Sequence, residues 1–156
     1  MKRILIILVV LLSISCVSTK VSTHVDKEEV IAIGLKELDL DVNIILVDLQ
    51  PRLHNTERGY ELNGVVSSFG ENTYKIKLRT GMTSTAIIST IAHELIHVRQ
   101  YHTGQLRQTS MGTVTYKGKK YKHERLVYKD KLWESDAYLE GRTLSWKIRR
   151  ILKQKQ

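Results

Sequence analysis

"IAHELIHVRQYHTG", residues 91–104, carries three of the chain's six histidines and one glutamate, and the reading of the whole chain turns on it. His93 and His97 stand four residues apart, so on a helix they project from one face, one turn above the other. That spacing lets two imidazoles reach one Zn2+ at about 2.0–2.1 Å each. Glu94 is rotated by about 100° from His93, so it can stand beside the metal without being forced to bind it. There it can take a proton from a water whose pKa zinc lowers to about 7. The five residues "HELIH" therefore supply two ligands and a general base, Glu94. Ile88, Ile91 and Leu95 give the predicted helix, residues 84–101, an apolar side, and Gly104 stands where a C-terminal cap belongs. An ordinary histidine pair on a surface helix is the competing reading. His102 lies nine residues after His93, about 180° around the helix, and is expected to face solvent. Gln100 and Thr103 stand where a three-histidine zinc site would have glycine and histidine.

A third ligand must come from elsewhere, and "LWESDAYLEGRTLSWKIRRIL" (132–152) offers three acids. On a helix Glu134 shares a stripe with Ala137, Tyr138, Gly141, Leu144, Ser145, Ile148 and Leu152. Asp136 and Glu140 fall on the opposite face with Thr143, Lys147 and Arg150. The apolar stripe should face the core, which makes Glu134 the one carboxylate directed inward. A buried carboxylate is costly unless it is paired or bound to metal, so Glu134 is either a zinc ligand or half of a buried salt bridge.

Working outward, "DKEEVIAIGLKELDL" (26–40) reads as a helix with Asp26, Glu28 and Glu29 at its N-terminus. "VNIILVDL" (42–49) is continuous and β-branched, as a buried strand would be, and Pro51 closes it. Strands at 60–69 and 73–80 flank the turn residues Gly70, Glu71 and Asn72. In the second of them Tyr74, Ile76 and Leu78 alternate with Lys75, Lys77 and Arg79, giving one apolar and one wet face. A small hairpin at 113–123 turns at Lys117-Gly118, and the last helix spans 132–152. The order predicts an α+β domain: a small sheet, antiparallel or mixed, with a helix carrying the site and a C-terminal helix.

The first 16 residues, "MKRILIILVVLLSISC", read as an export signal, with Lys2 and Arg3 before an apolar run. That run is far short of the ~20 residues a spanning helix needs. Cys16, the only cysteine, resembles the lipidated cysteine of bacterial lipoproteins, which becomes the first residue of the mature chain. Residues 17–25 then form a tether, residues 26–156 form the domain, and the protein is expected at the cell envelope, lipid-anchored to a membrane. An ordinary cleaved leader would give a secreted protein instead. The formal net charge of +9 suits anionic partners. Its lysines and arginines are scattered through "YKGKKYKHER" and "KIRRILKQKQ" outside any nucleic-acid module, and no nucleic-acid partner is expected.

"HELIH" followed by "WESDAY" resembles the gluzincin branch of the zincin metallopeptidases, and the small bacterial and phage proteins with His-Glu-Leu-x-His-Val-x-Gln and a later Trp-Glu-x-acid-Ala. The resemblance implies a minimal zincin-like domain that hydrolyses peptide bonds in a peptide or protein substrate. It implies zinc held by His93, His97 and Glu134, with Glu94 as the base. It also implies that the strand "YKIKLR" edges the cleft, where an extended peptide could add by backbone pairing. Tyr138, His123 and Tyr128 are of suitable type to assist the reaction, but no spacing selects among them. The alternative is a metal- or partner-binding envelope protein on a degenerate peptidase scaffold, which would have no use for Glu94.

Overall fold

A computed structural model describes residues 25–49, 53–55, 60–127 and 130–155. The expected leader, Cys16, most of the tether and Tyr128 lie outside the described residues. Helix α1 (Lys27–Glu37) begins where Asp26 caps it, the carboxylate accepting from the Glu28 and Glu29 N–H groups. Strand β1 (Asn43–Leu49) follows, then the short pair β2 (Leu53–Asn55) and β3 (Tyr60–Leu62), then β4 (Gly64–Gly70) and β5 (Thr73–Arg79). Helix α2 (Ser84–His102) leads into β6 (Leu106–Ser110), β7 (Thr113–Tyr116), β8 (Lys119–Lys122) and a 3-10 turn. Helix α3 (Leu132–Gln154) ends the described chain. No helix among the described residues is long and apolar enough to cross a membrane.

The architecture is α+β. The first sheet has the order β1-β5-β4, with β1 parallel and β4 antiparallel to β5. The alternation in β5 works as its pattern requires: Tyr74, Ile76 and Leu78 are buried while the intervening basic residues are not. Their apolar face belongs to one core with Val30 and Ile33 of α1, Ile88, Ile91 and Leu95 of α2, and Leu144 and Ile148 of α3.

Three expectations about the strands change. The apolar run 42–49 is an edge strand, with Ile45 exposed, because β5 takes the centre of the sheet. The stretch 60–69 is two strands broken at Asn63, the first pairing with β2 and the second with β5. The strand "YKIKLR" is β5 itself, so it is central and cannot edge a cleft; β4 holds the edge.

The second sheet, β6-β7-β8, is antiparallel. Its β7–β8 hairpin turns at Lys117 and Gly118, both with positive φ (47° and 78°), the geometry of a tight two-residue hairpin. The partner strand β6 had no clear signature, since Leu106 alone in it is buried. Leu106 and Tyr116 close around Trp133, whose ring meets Tyr116 and Tyr121 edge-on at centroid distances of 6.2 and 6.0 Å. The small sheet therefore anchors the N-terminal turn of α3, one residue before Glu134.

Helices α2 and α3 run antiparallel, with Ser89 facing Ser145 across a 3.3 Å hydroxyl contact and His97 facing Glu134. Gly141 is what lets them come so close. A Cβ there would stand 3.1 Å from the His93 Cα and 3.3 Å from its nitrogen. A glycine inside a helix costs up to about 1 kcal/mol relative to alanine; here it brings the two backbones into contact at the first histidine.

Candidate metal centre

His93 and His97 lie on α2, and Glu134 sits in the first turn of α3. The His93 and His97 Nε2 atoms are 3.1 Å apart, and Glu134 Oε2 is 3.5 Å from the first and 3.2 Å from the second. Among the described residues these three form a group able to hold a metal ion. A tetrahedral ion with bonds of about 2.0–2.1 Å has donor atoms about 3.3–3.4 Å apart, which is the size of this triangle.

The proton inventory points the same way. Gln100 Oε1 lies 2.8 Å from His97 Nδ1, and Gln100 Nε2 donates to the Trp133 carbonyl at 3.1 Å. The second bond fixes which end of the amide faces the ring, so His97 donates from Nδ1. In neutral His97 the Nε2 lone pair then faces the Glu134 carboxylate, lone pair against lone pair. A metal ion, or one more proton on His97 or on Glu134, reconciles them. Burial alone would push the His97 pKa down; the carboxylates of Glu134 and Glu94 and the Gln100 bond outweigh it and hold the ring above its ordinary value.

Glu94 is only 5% exposed and turns toward the sheet. Burial pushes its pKa up, with Glu134 adding to the rise, while His97, His93 and the backbone N–H of Val66 pull the other way. Its neighbour in β4 is Gly64, where a Cβ would lie 2.6 Å from Thr90 Cγ2 and 3.1 Å from Glu94 Oε1. Glycine at that position lets the edge strand run hard against α2, with Glu94 between the metal ligands and the strand.

The strand offers its backbone outward. Arg79 N–H donates to the Asn63 carbonyl at 2.9 Å. In an alternating antiparallel ladder, Val65–Lys77 and Ser67–Lys75 then carry the bonds to β5. Gly64, Val66 and Ser68 turn their N–H and C=O groups to the edge with which no described strand pairs, where Val66 meets Glu94.

The remaining candidates fall elsewhere. His102 is exposed at the end of α2. His123 opens the 3-10 turn after β8, and Tyr138 is 62% exposed on α3. Asp136 and Glu140 stay out of the triangle, as their helix phase requires. Asp136 accepts from the Tyr116 hydroxyl and from Lys117 Nζ at 2.7 Å, while Glu140 pairs with Arg99 and Lys147 pairs with Glu37. Two residues near the ligands had no role assigned from sequence. Gln100 follows His97 by three positions, the spacing of neighbours on one helix face. Tyr101 follows it by four; burial chiefly, then the charges of Glu134 and Glu94, pushes its phenol up. Compared with protein families, characterised proteins and solved structures, this chain has no match.

Proposed function

We propose that the protein is a zinc-dependent peptide hydrolase in which His93, His97 and Glu134 hold the metal and Glu94 is the general base. The observation that carries this reading is the pairing of a tetrahedron-sized donor triangle with a buried glutamate beside it that is not one of the donors. Two imidazoles and one carboxylate suit zinc and leave a fourth position open, as catalysis requires. When bound, zinc polarises the scissile carbonyl and lowers the pKa of water to about 7.

The chain's own residues do the rest. Glu94 accepts a proton from the attacking water and returns it to the leaving amine. Burial helps it hold that proton between the two steps, because it disfavours the ionised form. The outward backbone of β4 gives an extended substrate a strand to pair with, beside Glu94. Gln100 keeps the His97 Nε2 lone pair directed at the metal. With an export signal and an acylated Cys16, the domain would work at the cell envelope.

A metal-binding module without catalysis is the rival reading. A structural site gains nothing from burying Glu94 at a cost, next to its ligands and against the edge strand β4. The test is metal content of the purified protein together with cleavage of casein or a peptide library, with and without a chelator. About one zinc per chain and chelator-sensitive cleavage support the hydrolase; zinc without cleavage supports the module.

A further inference from the structure

A groove of about 710 Å3 runs along α3 beside His93, lined by Ser89 and His93 of α2 and by Tyr138, Arg142, Trp146 and Arg149 of α3. Among the described residues no acidic side chain lines it. Neither Arg142 nor Arg149 has an ion pair among the described residues, whereas Glu140 and Lys147 on the same helix pair with Arg99 and Glu37. Tyr138 and Trp146 are 62% and 56% exposed, so the groove presents two aromatic rings together with two unpaired guanidinium groups. Arginine is well suited to carboxylates, which it can grip with two parallel hydrogen bonds.

We infer that this groove is the subsite for substrate residues to one side of the scissile bond, and that it selects a peptide carrying two carboxylate side chains. The inference rests on the hydrolase reading and names its substrate class. Arg142 and Arg149 are seven residues apart, about 10.5 Å along the helix. An extended peptide presents every second side chain on one face, about 6.6 Å apart, so two acidic residues four positions apart share a face within reach of both long arginine side chains, as in Glu-x-x-x-Glu. The aromatic rings between and beside the arginines cover the intervening residues. His93 is the member of the metal-site triad that lines the groove.

A membrane surface shares the negative charge but is flat, whereas this site is concave and opens on a metal ligand. The acidic peptide fits both the charge and the shape.

The test uses zinc-loaded full-length Glu94→Gln protein, which binds without turning over, and two fluorescein-labelled dodecapeptides differing only in Glu-x-x-x-Glu against Gln-x-x-x-Gln. Fluorescence anisotropy should give a preference for the acidic peptide of roughly tenfold, the size of two partly exposed charge pairs. In Arg142→Gln/Arg149→Gln on the same background the preference should collapse toward one. Lys36→Gln, which removes an exposed charge on α1, should keep it. A preference that survives the double arginine substitution, or is absent from the start, overturns the inference. Arginine-dependent binding to vesicles of phosphatidylglycerol and phosphatidylcholine, with no peptide preference, overturns it in favour of a membrane. Cleavage by the parent protein is read separately: arginine-dependent peptide preference without any cleavage leaves the groove standing and removes the hydrolase.

Discussion

Gln100 Oε1 lies 2.8 Å from His97 Nδ1, and the same amide donates to the Trp133 carbonyl one residue before Glu134. One side chain thus sets the tautomer of a candidate ligand on α2 and ties it to the turn of α3 that carries Glu134, the third member of the triad. Gln100→Ala should weaken zinc binding by about 10–100-fold, as losing an outer hydrogen-bond partner does. Competition against a chromogenic chelator reads it. Parent-like affinity in this variant would mean that the amide merely fills space.

Metal binding and catalysis should separate by residue. Glu94→Gln should keep about one zinc per chain while hydrolysis falls by ~10²–10⁴-fold, the range for losing a positioned general base. His97→Ala and Glu134→Ala should lose metal and activity together. Asp136→Ala and Glu140→Ala should keep the metal, because their partners are Tyr116, Lys117 and Arg99. Loss of zinc in Asp136→Ala but not in Glu134→Ala would redraw the site around Asp136.

The pH dependence of the metal-free protein follows from two raised pKa values. His97 is raised, despite burial, by Glu134 and Glu94, so its contribution is complete below its unfolded value and lost as pH rises through the folded one. Glu94, raised mainly by burial, acts in the same direction: its charged form is disfavoured in the fold, so stability falls as pH climbs above its ordinary 4.5. The melting temperature of metal-free protein should therefore drop on going from mildly acidic to mildly alkaline buffer. Zinc should offset the drop, since it replaces the proton between His97 and Glu134. Scanning calorimetry with and without zinc measures this, and a stabilisation by zinc that does not grow with pH would count against it. Asp136 works in the opposite sense: Lys117 and Tyr116 hold it below its ordinary value of 3.8, so its contribution is lost only in stronger acid.

Gly141→Val should destabilise the fold by about 1–3 kcal/mol, the usual cost of overpacking. The new side chain meets backbone atoms of His93, which cannot rotate away. Because the helices would separate at the metal centre, zinc affinity should fall as well. Chemical denaturation and the chelator competition read the two effects, and a variant as stable as the parent would show that α2 and α3 are free to slide.

Cys16→Ser should abolish lipid labelling and release the protein from the membrane fraction, if Cys16 carries the anchor. Metabolic labelling with a fatty-acid analogue decides it. A parent protein that takes no label removes the anchor and leaves the metal centre untouched.

What the sequence determined by itself was local. The four-residue step from His93 to His97, the 100° offset of Glu94 and the phase of Glu134 against Ala137, Gly141 and Ile148 follow from helix geometry alone, and the structure has each on the face that geometry assigns. The cap at Asp26, the alternation in β5 and the turn at Lys117-Gly118 are equally short-range. The order of the strands required tertiary structure, because pairing is a contest between distant segments: β5 rather than β1 took the centre, and that left β4 as the edge beside Glu94. Tertiary structure also decided the partners of Asp136 and the role of Gln100, since each depends on where a second element lands. The periodicity of α3 could say that Glu134 points inward; only the close approach at Gly141 and the anchoring of Trp133 by the second sheet bring it within 3.5 Å of both histidines.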